Sequence, residues 1–202
     1  MHDALAFLIK GGPVMVPLLL CSVISLAVTL ERFLFWRRIG SKELIEQLLD
    51  FVERGNLEKA LSLGKEAASP IARVLAAGLA HRNPSPSKAM EAAGQAEIPV
   101  LKQRLVILDT IITLAPLLGL LGTVTGMIGS FGIMSQSGIG QPHAVTGGVA
   151  EALIATATGL LIAILTLIPY NYFSSRAERE LEKIDQYATR LEFLLSSQEE
   201  KK

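Results

Sequence analysis

The sequence predicts an all-α integral membrane protein with three transmembrane helices, cytoplasmic helical hairpins and helical extensions of the spans. Three observations carry that prediction. Half of the 202 residues are hydrophobic, and the charges are unevenly spread: between Arg104 and Arg176 the carboxylates are Asp109 and Glu151, His143 is the one histidine, and there is no lysine or further arginine. Apolar runs at Val14 to Trp36, Leu105 to Met134 and Val145 to Phe173 each reach the roughly 20 residues that cross a hydrocarbon core about 30 Å thick at a rise of about 1.5 Å per residue. The stretch LAPLLGLLGTVTGMIGSF, Leu114 to Phe131, is too apolar for a loop and too rich in glycine for an ordinary soluble helix. In lipid the backbone must satisfy its hydrogen bonds internally, so glycine there serves close helix packing instead of breaking the helix.

Residues 1–12 form an outer segment, with Leu5, Leu8 and Ile9 at helical spacing ahead of the Gly11-Gly12-Pro13 break; such a piece suits the membrane surface. Residues 13–36 are the first span. Its basic cluster, Arg32, Arg37, Arg38 and Lys42, follows the apolar run, the reverse of a cleaved signal peptide. Phe33, Phe35 and Trp36 suit an interfacial aromatic belt. The lone Cys21 excludes an internal disulfide and reads as a small apolar filler.

Residues 37–104 read as short helices. Ser41 caps one that runs to Arg54, Gly55-Asn56 ends it and starts a second, and Ser69-Pro70 starts a third that reaches His81. The breaker run Asn83 to Ser87 precedes a helix expected to continue into the second span, residues 105–134. A short connection, 135–144, leads to the third span, 145–173, and a C-terminal helix, 174–202. In that helix Leu181, Ile184, Ala188, Leu191 and Leu195 recur at alternating steps of three and four, a seam that wants a neighbouring helix. Lysines and arginines flank the spans at 32–42, 102–104 and 176–183 and are missing from 135–144. By the positive-inside rule the amino terminus and the connection are periplasmic, and the 37–104 region and carboxyl tail are cytoplasmic.

Within the membrane, Asp109 near the cytoplasmic end reads as an acid that snorkels or pairs with an arginine. Glu151 is either a first-turn acid favoured by the helix dipole or an acid at the outer mouth of a pathway. Thr123 and Thr156 come to similar depth by helical rise. Gly119, Thr123, Gly126 and Ser130 form one small, weakly polar stripe; Ala152, Thr156, Gly159, Ala163 and Thr166 form another. Gly122 and Gly126 complete a Gly-x-x-x-Gly groove. A single membrane threonine usually bonds back to its own helix at i−4, whereas two matched stripes favour a narrow polar passage or a seat for a partner's polar helix.

On these residues the chain resembles the MotA/TolQ/ExbB family of proton-channel and stator subunits, and its ExbB and TolQ branch above all. The resemblance rests on Ala115-Pro116-Leu117-Leu118-Gly119-Leu120-Leu121-Gly122-Thr123-Val124-x-Gly126-Met127 and on Gly148-Val149-Ala150-Glu151-Ala152-Leu153-Ile154-Ala155-Thr156-Ala157-x-Gly159-Leu160. Glu31-Arg32 and Ile168-Pro169-Tyr170-Asn171 add support. It implies a bacterial inner-membrane homopentamer whose second and third spans line a pore around single membrane helices of an ExbD/TolR-type partner. The partner's aspartate then carries the proton, Thr123 and Thr156 face it, and Glu151 lies near the outer entrance. The proton-motive force is converted into work on a TonB/TolA-type envelope protein. Three spans replace the four of flagellar MotA subunits, and their large cytoplasmic domain has no counterpart, so a MotA-like stator fits less well.

A self-sufficient ion channel or transporter needs coupling acids of its own at mid-membrane, and Glu151 alone is thin material for one. Catalysis is not expected. Ser130 lacks a following glycine and a histidine in reach, Asp109 has no second membrane aspartate, and no H-E-x-x-H, P-loop or dinucleotide fingerprint occurs. No cofactor, metal or nucleic acid is called for; the surrounding partner is the lipid bilayer.

Overall fold

The computed structural model describes residues 11–39, 42–82, 85–137 and 142–199. The expected amphipathic segment at 3–10, the Ser41 cap, Asn83-Pro84 and the middle of the 135–144 connection lie outside the described residues. The protein is an all-α integral membrane protein. Its helices are α1 (Met15–Arg38), α2 (Lys42–Glu53), α3 (Leu57–Glu66), α4 (Pro70–Ala80), α5 (Pro86–Leu101), α6 (Leu105–Ser137) and α7 (Pro142–Glu199). Three of them, α1, α6 and α7, are long and apolar enough to cross a membrane.

The chain divides into two compact units. The first joins residues up to Glu31 with Arg104–Tyr172. Its centre is built from Met15, Leu18 and Cys21 of α1, Ile111 and Ala115 of α6, and Ile162 of α7. Continuing the α1 stripe brings Ser25 inward, where its hydroxyl meets that of Thr166 at 2.7 Å, both side chains buried. Thr166 donates to its own Ile162 carbonyl at 2.7 Å, so Ser25 is the donor of the shared bond. The outward faces of α6 and α7 are apolar, with Leu117, Ile128, Leu153 and Ile164 all more than half exposed.

Contact between α6 and α7 is made by small residues. A Cβ on Gly119 would lie 2.9 Å from the Thr156 Cα, one on Gly122 2.5 Å from the Ala155 Cβ, and one on Gly126 3.0 Å from the Ala152 Cβ. On α7, a Cβ on Gly159 would overlap the Ala115 carbonyl oxygen. The two small-residue faces thus satisfy each other inside one chain and do not in themselves demand a neighbouring copy. They also differ from the stripes read in sequence: Gly122 replaces Thr123 at the centre of the α6 face, and Thr166 turns to α1.

The second unit joins Arg32–Gln103 with Phe173–Lys202. Pro70 and Pro86 open their helices, and the Ser85 hydroxyl accepts from the Lys88 amide at 3.4 Å. Arg73 clasps the buried Glu97 through two bonds, Nε to Oε1 at 2.8 Å and Nη2 to Oε2 at 2.6 Å, the strong fork arrangement of guanidinium and carboxylate. Ile184, Leu191 and Leu195 of α7 are buried within this unit, with Leu191 near Gly78. The C-terminal seam therefore finds its helical neighbours in its own chain. Trp36 is also buried, under the Arg176 guanidinium at 5.0 Å, which leaves Phe33 as the exposed aromatic of the expected belt.

Contrary to expectation, α5 does not run on into the second span. It ends at Leu101; Lys102 to Arg104 form a turn, and Arg104 has φ 62°. Pro99 removes an amide donor from the last turn of α5, and the left-handed backbone at Arg104 leaves the helical path. Arg104 pairs with Glu31 at 3.4 Å, while Asp109 is exposed.

Because the Gly159 Cβ would meet a backbone carbonyl, which cannot swing aside, Gly159→Ala is expected to destabilise the membrane unit by about 1–3 kcal/mol. Gly129→Ala, where nothing lies within 4 Å, should be neutral. Thermal unfolding in detergent followed by circular dichroism compares them; equal melting temperatures would refute the close-packed interface.

In the second unit Glu46 accepts from Arg190 at 2.9 Å and from the Tyr187 hydroxyl at 3.1 Å. The Arg190 hydrogen bond, against the effect of burial and with help from Tyr187, holds the Glu46 carboxyl below the ordinary glutamate value. A lowered carboxylate pKa gives stability that is present above the unfolded value and lost as pH falls through the folded one. The melting-temperature gap between the parent and Glu46→Gln is therefore expected at neutral pH and should close on acidification through that range; a gap that widens in acid would contradict it.

Candidate functional site

The site is built where α1 and α7 begin and α6 ends. Glu151 was expected in the first turn of its helix, but α7 starts at Pro142, so the carboxylate sits in the third turn. A helix dipole acts within the first turn, and the dipole reading of Glu151 loses its basis. Instead, Glu151 lies against the Gly11-Gly12-Pro13 break, near enough that a Cβ on Gly12 would overlap its Oε1.

Glu151 is one wall of a cavity of about 380 Å³ that is also lined by Val14, Thr125, Gly126, Ser130 and Gly148. The Ser130 hydroxyl donates to the Gly126 carbonyl at 2.9 Å, and a Cβ on Gly148 would overlap that hydroxyl. Three of the lining residues, Gly126, Gly129 and Gly148, are glycines, so peptide groups reach the cavity beside the Ser130 hydroxyl and the Glu151 carboxylate. Glycine makes this possible: each missing side chain leaves peptide oxygen within reach.

Five residues along α7 from Glu151, about 7.5 Å by helical rise, Thr156 donates across the interface to the Gly119 carbonyl at 2.8 Å. Thr123 donates to Leu120 of its own helix at 2.7 Å. The expected bond from Thr156 back to i−4 does not form, because Gly119, with no side chain, lets the third span close in until its carbonyl is the nearer acceptor. The two hydroxyls therefore bind adjacent carbonyls, Gly119 and Leu120, and both side chains are half-buried. Each has spent its single proton as a donor; what remains is acceptor capacity.

Gly119, Gly122, Gly126 and Gly159 serve the close approach of α6 and α7. Thr166 is sequestered with Ser25 away from the two threonines, and Asp109 is exposed. Ser25 is the polar residue that sequence reasoning missed. Its signal was present: it continues the inward stripe of Leu18 and Cys21 at helical spacing.

A profile described as the MotA/TolQ/ExbB proton channel family matches residues 66–186. The chain belongs to that family. It is 37% identical over 191 residues to the biopolymer transport protein ExbB-like 3 of Synechocystis, with 91% of each chain covered. It is 27% identical over 215 residues to the Tol-Pal system protein TolQ of Pseudomonas aeruginosa, covering 96% of this chain and 93% of that one. With the biopolymer transport protein ExbB of Aquifex aeolicus it shares 41% identity over 81 residues, 40% of this chain and 55% of that protein. The matched region contains both threonines, Glu151 and the glycines of the α6–α7 interface, so this ExbB/TolQ-like chain carries its small-residue seam within the part that defines the family.

Proposed function

We propose that the chain is a subunit of a proton-driven machine of the bacterial inner membrane, with its amino terminus in the periplasm and its carboxyl tail in the cytoplasm. Five copies surround the single membrane helices of an ExbD/TolR-type partner, and proton flow between them is turned into work on a TonB/TolA-type envelope protein. One observation carries the reading: Thr123 and Thr156 bring their hydroxyls to adjacent carbonyls on α6, below Glu151, at a depth where the chain has no acid of its own.

Two hydroxyl oxygens with their protons already committed are acceptors, and an acceptor pair welcomes a protonated carboxyl, which donates, over a carboxylate, which repels. The partner's acid is therefore received in its neutral form. Glu151, nearer the outer end, takes up or orients the proton, the partner's acid carries it past the threonines, and it leaves toward the cytoplasm. The pentamer puts the apolar outer faces of α6 and α7 against lipid and against other copies; native mass spectrometry in mild detergent should show five chains, and a monomer alone would contradict it.

Thr123→Val and Thr156→Val keep volume and remove the acceptor oxygen. Loss of the interhelical bond in Thr156→Val costs on the order of 0.6 kcal/mol, too little to undo the assembly. Both variants, and Glu151→Gln, are expected to pull down the partner normally while losing most transport that depends on the proton gradient in a complementation assay. Full transport in all three would remove this route from the chain.

A further inference from the structure

Resting on that reading of Glu151, we propose that Gly12 is a positioning residue: the Gly11-Gly12-Pro13 turn is the ceiling that holds the Glu151 carboxylate over the cavity. The backbone requires glycine at position 12, and a second feature sets the Glu151 carboxyl against it. The Gly12 backbone has φ +74°, in the left-handed region that side chains disfavour. A Cβ there would overlap Oε1 of Glu151 and come within 2.9 Å of its Cδ. The second is the informative one, since a turn needing only a left-handed residue would leave open space beside it, as at Gly55, where φ is also +74° and nothing lies within 4 Å.

The turn is fixed from below. Gly12 accepts from the Met15 amide at 3.0 Å, and Pro13 from the Val16 amide at 3.2 Å, so the break is tied to the first turn of α1. Met15 is itself buried in the core of the membrane unit. A carboxylate that meets this backbone cannot displace it and is confined to the side where Val14, Thr125 and Gly126 line the cavity. Bare main chain at Gly12 thus sets where the acid sits and from which side a proton reaches it. The start of the first span becomes part of the proton entrance without contributing a titratable group.

Carbodiimide labelling of the full-length protein in membranes, with peptide mass spectrometry, reads the Glu151 carboxyl directly and without reference to transport. Gly12→Ala should change labelling of Glu151 severalfold while partner pull-down stays normal. It should also lower gradient-driven transport by up to about a hundredfold, the scale of loss when a reacting group is displaced by about 1 Å. Glu151→Asp, shorter by one methylene, withdraws the carboxylate from the ceiling, so Gly12→Ala added to Glu151→Asp should leave labelling as in Glu151→Asp alone. If Gly12→Ala fails to accumulate, Gly12→Asn, which tolerates a left-handed backbone, takes its place and must change Glu151 labelling in the same way. Unchanged Glu151 labelling in Gly12→Ala, or a labelling change that persists when Gly12→Ala is added to Glu151→Asp, overturns the positioning role. Altered labelling with full transport would keep that role and place the failure in the proton route instead.

Discussion

Backbone approach between α6 and α7 is the constraint on which the membrane unit depends. Lipid gives helices no hydrophobic reason to associate, so contact must come from packing and from hydrogen bonds across the interface. Here the packing is peptide against peptide: Gly119 on the Thr156 main chain, Gly159 on the Ala115 carbonyl, Gly126 on Ala152 and Gly148. A larger residue at any of these places would hold the helices apart. The separation it removes is the one that lets Thr156 reach the Gly119 carbonyl.

Chemistry follows from that proximity. In a helix interior a threonine hydroxyl is spent on its own carbonyl, as Thr125 and Thr158 are, to Leu121 at 2.9 Å and Ile154 at 2.8 Å. Thr156 escapes this because glycine opens a second acceptor. The Thr156 hydroxyl is thereby held on the Gly119 carbonyl, next along α6 from the Leu120 carbonyl that Thr123 binds, without a buried charge. Such a seat is inexpensive to keep in a membrane and, in the proposed function, receives an acid brought by another chain, whereas an intrinsic carboxylate at that depth would need constant neutralisation.

Much of this was legible in sequence because membrane spans are written in long, simple signals. Apolar length gave α1, α6 and α7, and the prolines at 70 and 86 with the Gly55 break gave the short helices. Pairings were harder. The sequence put Thr123 on the contact face, one position from Gly122, since a step of three or four fits both and only packing against Ala155 decides. The C-terminal seam reads the same whether its partner is another copy or, as found, helices of its own chain. Nothing local announces that Gly12 touches Glu151, because that contact joins positions far apart in the chain. The Lys102–Arg104 turn was missed because Pro99 is tolerated in many helices and an arginine with positive φ leaves no mark in composition.

The family places this chain among proton channel proteins, and at the α6–α7 seam the Thr156 hydroxyl is bonded to the Gly119 carbonyl, with no carboxylate beside it among the described residues. In the proposed function this chain builds the seat and another chain supplies the acid. Proton flux into proteoliposomes under an imposed gradient tests it most directly, measured with the purified chain alone and after reconstitution with its single-span partner. Flux only in the presence of the partner, abolished when the partner's membrane acid is replaced by its amide, is the result the account predicts; equal flux from this chain alone would contradict it.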